Sequence, residues 1–115
     1  MSTSAPELRR KLTLEALDRV ADGAGGFRTT WVVLGTVWAE VKAGTGRETE
    51  AEFLTLSTVP YRITVRSAPP GAPSRPKPDQ RFREGNRVFR ILAVADADVR
   101  GKYLTCFTRE EEVSA

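Results

Sequence analysis

Short segments of alternating apolar and polar residues, each ended by a turn signal, leave a chain of this kind little choice but a β architecture. The clearest is residues 61–66, where Tyr61, Ile63 and Val65 face one way and Arg62, Thr64 and Arg66 the other. Residues 11–16 alternate in the same way. Residues 29–34 are β-branched and aromatic, Gly35 interrupts them as a bulge or kink would, and residues 36–41 resume the strand. There Val37, Ala39 and Val41 share one face, and Trp38 and Glu40 the other. Further strands are predicted at 80–83, 87–94 and 102–108. The breaks between them are rich in glycine, asparagine and aspartate: 22–26, 84–86 and 95–101. The expected fold is all-β, a small barrel or sandwich of about six antiparallel strands with long loops and at most one short helix.

Two connections are longer. Residues 43–58 open on Gly44-Thr45-Gly46 and carry Glu48, Glu50 and Glu52, so a short helix or a long ordered loop both fit. Residues 67–78 contain five prolines in twelve positions, which excludes a helix or a central strand and predicts a stiff extended excursion.

At 115 residues one domain is expected, with residues 1–7 as a flexible N-terminal arm, 8–109 as the barrel and 110–115 as an acidic C-terminal tail. No apolar run is long enough for a membrane span, and the first residues lack the apolar core of a signal peptide. The lone cysteine, Cys106, fits a small buried hydrophobe on a strand and a reducing compartment.

Composition bears on chemistry through what it lacks. There is no histidine, so a single chain can form no Ser–His–Asp or Cys–His site, and classical zinc sites are excluded. Asp96 and Asp98 read as turn residues, since the further oxygen ligands of a calcium loop do not follow. Gly44-Thr45-Gly46-Arg47 lacks the spacing of a phosphate loop. No catalytic residue, metal site or cofactor is expected, and the chain is not expected to be an enzyme. Net charge is +3, mildly basic. Arginines concentrate between 75 and 90, and acids at 48–52 and 110–112. These opposed patches mark Arg81, Arg83, Arg87, Glu110 and Glu111 as candidate contacts between like subunits. Trp31 and Trp38, on adjacent stretches of strand, are expected as structural anchors of the core, each worth roughly 3–5 kcal/mol if buried.

The order Gly25-Gly26, Thr30-Trp31, Val37-Trp38-Ala39-Glu40-Val41, Gly46-Arg47-Glu48, then the strands at 61–66 and 86–91, resembles the small head–tail joining proteins of tailed phages and gene transfer agents. These are also called head-closure or stopper proteins. The resemblance spans residues 8–108. It implies a structural connector forming a ring between the portal or adaptor and the tail, closing the DNA channel and offering a surface for tail docking. Implied partners are further copies of the chain, with a hexamer preferred to a dodecamer, the adaptor or portal ring above, and the tail terminator or tail tube below. Packaged double-stranded DNA would lie in the channel without sequence-specific contact, and no membrane is involved. The particle would be assembled in the bacterial cytoplasm, with this chain at its neck. The family's channel-facing segment maps to 43–60, giving Thr45, Gly46, Arg47, Glu48, Glu50 and Glu52 as the channel loop. Lys42-Ala43-Gly44 departs from the family pattern, and the proline-rich excursion is longer than in typical relatives. Alternative readings are a basic nucleic-acid-binding β-barrel, resting on the arginines and tryptophans, or a tail terminator or other ring protein of the neck.

Overall fold

A computed structural model describes residues 5–44 and 59–111. These form six strands: β1 Arg10–Ala21, β2 Phe27–Ala43, β3 Val59–Arg66, β4 Arg81–Glu84, β5 Arg87–Asp96 and β6 Tyr103–Glu111. All neighbours are antiparallel, and the sheet closes on itself in the order β1-β2-β3-β6-β5-β4. The all-β expectation holds. The question of a short helix concerns residues 45–58, which lie outside the described residues.

Alternation builds the core. Leu12 and Leu14 from β1, Ala39 from β2, Ile63 and Val65 from β3, Phe82 from β4, Phe89 and Ile91 from β5, and Leu104 and Cys106 from β6 point into the barrel. Tyr61 meets Phe89 edge-on, with centroids 5.3 Å apart, the geometry their ring quadrupoles favour. Cys106 is enclosed in this cluster, and burial pushes its thiol up to about 12. The thiol is therefore a packing group without nucleophilic character near neutral pH.

Two irregularities shape the barrel. Leu14 pairs with Gly35 and Glu15 with Val33, so Leu34 is the extra residue of a bulge. Gly35 there has φ 156°, which a side chain would resist. Beyond the bulge β1 and β2 continue as a two-stranded ribbon to the loop at 22–26, well past the ends of their other neighbours. The second irregularity falls between Ile91 and Ala93 in β5, and leaves Leu92 exposed.

The proline-rich segment does more than bridge β3 and β4. Its turns are tied by Ala72 N–H to Pro69 O, Arg75 N–H to Ala72 O and the Arg75 guanidinium to Ala68 O at 2.7 Å. Asp79 N–H then bonds Ile91 O, and Ile91 N–H bonds Gln80 O, extending the β4–β5 ladder. Pro76 is fully buried. The prolines stiffen the turns, and the segment folds back against the barrel as part of it.

One boundary and one burial differ from the sequence reading. Glu110 and Glu111 are the last residues of β6, paired with Phe89 and Val88, and belong to the sheet. Trp38 does not anchor the core: it is 56% exposed. The alternation that buries Ala39 turns Trp38 outward, and none of the described elements covers that wall. Trp38→Ala is accordingly expected to change the unfolding free energy by no more than about 0.5 kcal/mol. Thermal melting checks this, and a loss of several kcal/mol would show Trp38 to be packed.

Candidate assembly surfaces

The ribbon is held at its root by a buried charge. Glu15, 4% exposed, lies beside Arg81 in the β1–β4 register. Arg81 Nε donates to Glu15 Oε1 at 2.6 Å, and Arg83 Nη1 is 3.8 Å from Glu15 Oε2. The Arg81 guanidinium also stacks 4.0 Å from the Trp31 ring centroid, and Arg90 sits 5.2 Å from the same ring. Trp31, half-buried, is thus an anchor of another kind from the one expected: it clamps the ribbon onto two arginines on the barrel exterior. A cation against an indole face is attractive through the ring quadrupole. Arg90 Nε is buried without a hydrogen-bond partner among the described residues, and its outer nitrogens lie 3.9 Å from Asp79 and Glu111.

The ribbon loop is organised by Asp22. Its carboxylate accepts Ala24 N–H at 2.8 Å and Gly26 N–H at 3.0 Å, and Asp22 N–H bonds Gly26 O. The Ala24 bond, then the Gly26 bond, holds the Asp22 carboxyl below the usual carboxylate range. The ribbon surface is apolar for an exposed one: Leu17, Val20, Phe27, Val32 and Val33 are all solvent-accessible. Arg19 lies 4.5 Å over the Phe27 ring.

A second group of charges tightens the other side of the sheet. Arg87 makes a two-pronged pair with Glu110, at 2.9 and 3.1 Å, with its guanidinium 4.9 Å from the Phe89 ring. The Glu110 hydrogen bond pushes the Arg87 guanidinium further above its already high range. Arg10 forks onto Glu84, with Nε at 3.0 Å and a second bond from Nη2. That contact holds the Glu84 carboxyl below its ordinary range. A carboxylate whose folded pKa is depressed stabilises the fold above its unfolded pKa, and the contribution fades as pH falls through the folded value. Wild type is therefore expected to lose more stability than Glu84→Gln as pH falls below the ordinary carboxylate pKa. Urea melts at a series of pH values check this, and parallel curves would contradict it.

Arg81, Arg83, Arg87, Glu110 and Glu111, expected as contacts between subunits, all have charge partners within the chain. The basic and acidic patches are separate in sequence, but cross-strand pairing interleaves them. Arg81 and Arg83 serve Glu15, Arg87 serves Glu110, and Glu111 lies near Arg90. The channel loop residues Thr45, Gly46, Arg47, Glu48, Glu50 and Glu52 lie outside the described residues. Their anchor points are described: Gly44 N–H bonds Pro60 O at 2.9 Å, so the segment leaves β2 and enters β3 at adjacent points. Sequence reasoning missed Glu15, the length of the ribbon and the folding back of Pro76. Only the continued apolar spacing of Leu17 and Val20 hinted at the ribbon.

No group of His, Cys, Asp or Glu among the described residues could hold a metal ion. An open groove beside the N-terminal segment is lined by Glu7, Glu40, Lys42, Asp98, Arg100 and Lys102. Its mixed charge and openness offer no enclosed site.

Comparison with known proteins places this barrel. No curated protein matches the chain. Among solved structures, a chain from the virion of a native gene transfer agent (GTA) particle is 60% identical, with a TM-score of 0.78. The match covers 96% of this chain and 100% of that one. The solution structure of protein SF1141 from Shigella flexneri 2a has a TM-score of 0.69 at 24% identity, over 97% of this chain and 100% of that one, and so shares the fold. The model of the phage head completion proteins matches residues 3–111, which takes in all six strands of the barrel and its ribbon. This chain belongs to the phage head completion protein family.

Proposed function

We propose that the chain is a structural head–tail connector that closes the DNA channel of a phage-like or gene transfer agent particle. It would act as a ring at the neck, between the portal or adaptor and the tail, in a particle assembled in the bacterial cytoplasm. It works by assembly and not by catalysis. The observation that carries this reading is the 60% identity, over 96% of the chain, to a component of a native gene transfer agent virion.

Two structural features support it. A closed barrel tied by cross-strand ion pairs is a rigid body suited to a ring that must hold against packed DNA. The ends of the β2–β3 connection are joined by the Gly44–Pro60 hydrogen bond, so a channel loop starting and ending there asks for no change in the described core. Residues 45–52 carry Arg47 with Glu48, Glu50 and Glu52. Repeated round a ring, a net acidic belt repels the phosphate backbone and discourages DNA from sticking. Arg47 can pair with Glu48 of a neighbour to lock the loops.

The nucleic-acid-binding alternative loses its main support. Arg81 and Arg87, central to the basic stretch, are engaged with carboxylates of the same chain. The test is deletion of residues 45–52. The variant is expected to fold, and its particles to fill with DNA and then lose it before tails join. Particles retaining DNA as well as wild type would place closure elsewhere.

A further inference from the structure

Three stretches of strand edge five residues or longer lack a strand neighbour among the described residues. β2 pairs with β3 only from Ala39 to Ala43, which leaves residues 27–38 open on the side away from β1. β5 pairs with β4 only from Arg87 to Arg90, with Ile91 bonded to Asp79 and Gln80, which leaves residues 92–96 open. β1 pairs with β4 only from Thr13 to Glu15, which leaves residues 16–21 open. An open edge is a row of unsatisfied N–H and C=O groups, and proteins that stay monomeric blunt such edges with charges, prolines or short length.

The three edges are not treated alike. The β1 edge carries adjacent charges, Asp18 and Arg19. The β2 edge carries one charge, Arg28, in twelve residues and no proline. The β5 edge reads Leu92-Ala93-Val94-Ala95-Asp96, with its one charge at the far end. Exposed apolar side chains flank both weakly charged edges: Val32, Val33 and Trp38 on β2, and Leu92 with Phe107 of adjacent β6 at β5. β2 and β5 lie three strands apart whichever way round the barrel is counted, and no strand pairing joins them within the subunit.

We infer that the free edge of β2 is a docking strand for the free edge of β5 in a second copy of this chain. Main-chain hydrogen bonds would join the two sheets, and the flanking apolar side chains would be covered on both sides of the join, as in strand addition generally. Two different surfaces on one subunit make a head-to-tail contact, which closes into a ring when the rotation allows. Pairing of β2 with β2 would instead give a two-fold dimer and stop there. The five residues of the β5 edge span roughly 17 Å, a length the β2 edge accommodates. This rests on the ring reading above and names the surfaces that would form it.

The test uses full-length chain carrying Val32→Cys and Ala95→Cys, both at exposed positions. The native Cys106 is fully buried and does not compete. Purified particles are treated with a short bismaleimide, whose reach tolerates the unknown register, and run on a denaturing gel. The double variant is expected to give a ladder of multimers, and each single variant only monomer. Adding Val33→Lys, a charge placed on the open edge, is expected to abolish the ladder. A dimer from Val32→Cys alone would overturn the inference in favour of β2–β2 pairing. Particles holding several copies of the double variant without a ladder would overturn it while leaving the ring reading standing. Particles without the chain would overturn both.

Discussion

Replacing Glu15 with alanine is expected to lower the unfolding free energy by about 3 kcal/mol, as removal of one partner from a buried ion pair does. Glu15 is almost fully enclosed, and Arg81 has only 15% of its side chain exposed. Without the carboxylate, Arg81 is left charged and poorly solvated beside Arg90, its cross-strand partner, and near Arg83. The ribbon also loses the contact that orients its Trp31 clamp. The loss should be largest for Glu15→Ala alone and smaller in Glu15→Ala with Arg81→Ala, because the second change removes the stranded charge. Urea unfolding of the two single variants and the double variant measures this coupling. A loss below about 0.5 kcal/mol for Glu15→Ala, typical of an exposed pair, would show that water reaches the site.

Phe89→Ala is expected to cost about 3–5 kcal/mol, the range for emptying a large aromatic site in a core. Phe89 is fully buried, lies opposite Phe82 in the β4–β5 ladder, and meets Tyr61 edge-on. The barrel has little freedom to collapse into the space there, since Phe89 is paired on both sides, to Phe82 of β4 and Glu110 of β6. Set against a total of about 5–15 kcal/mol for a small domain, the variant sits near the limit of folding. The contrast with Trp38, a larger residue expected to matter little for stability, isolates position in the sheet as the cause. Equal melting temperatures for Phe89→Ala and wild type would contradict the packing described here.

What could be read from the sequence and what could not divide along one line. Alternation at 61–66 and 36–41 assigns faces correctly, because the period of a strand follows from local geometry alone. The bulge at Gly35 was equally legible, since a glycine interrupting a β-branched run has few other meanings. Closure of the sheet was open between barrel and sandwich, because it depends on β1 meeting β4 across 66 residues of chain, as Glu15 and Arg81 do. The same long-range pairing hid the fate of the charges. Arg87 and Glu110 look like opposite patches in sequence and are one ion pair in the fold. Trp38 misled because size suggests burial, while the face that carries it has no covering layer among the described residues. The proline-rich segment was correctly excluded from the sheet, but the burial of Pro76 depends on a tertiary contact that composition does not encode.

For the channel loop, the legible part was the resemblance, and the described residues supply only its two anchors. The claim that this chain closes a DNA channel is tested most directly by cryo-electron microscopy of the neck of a DNA-filled, tailless particle. The account predicts a ring of this barrel between the portal side and the tail-docking face, with the 45–58 segments converging on the axis and no open path for DNA between them. A ring whose 45–58 segments point away from the axis, or a neck in which another protein blocks the channel, would contradict it.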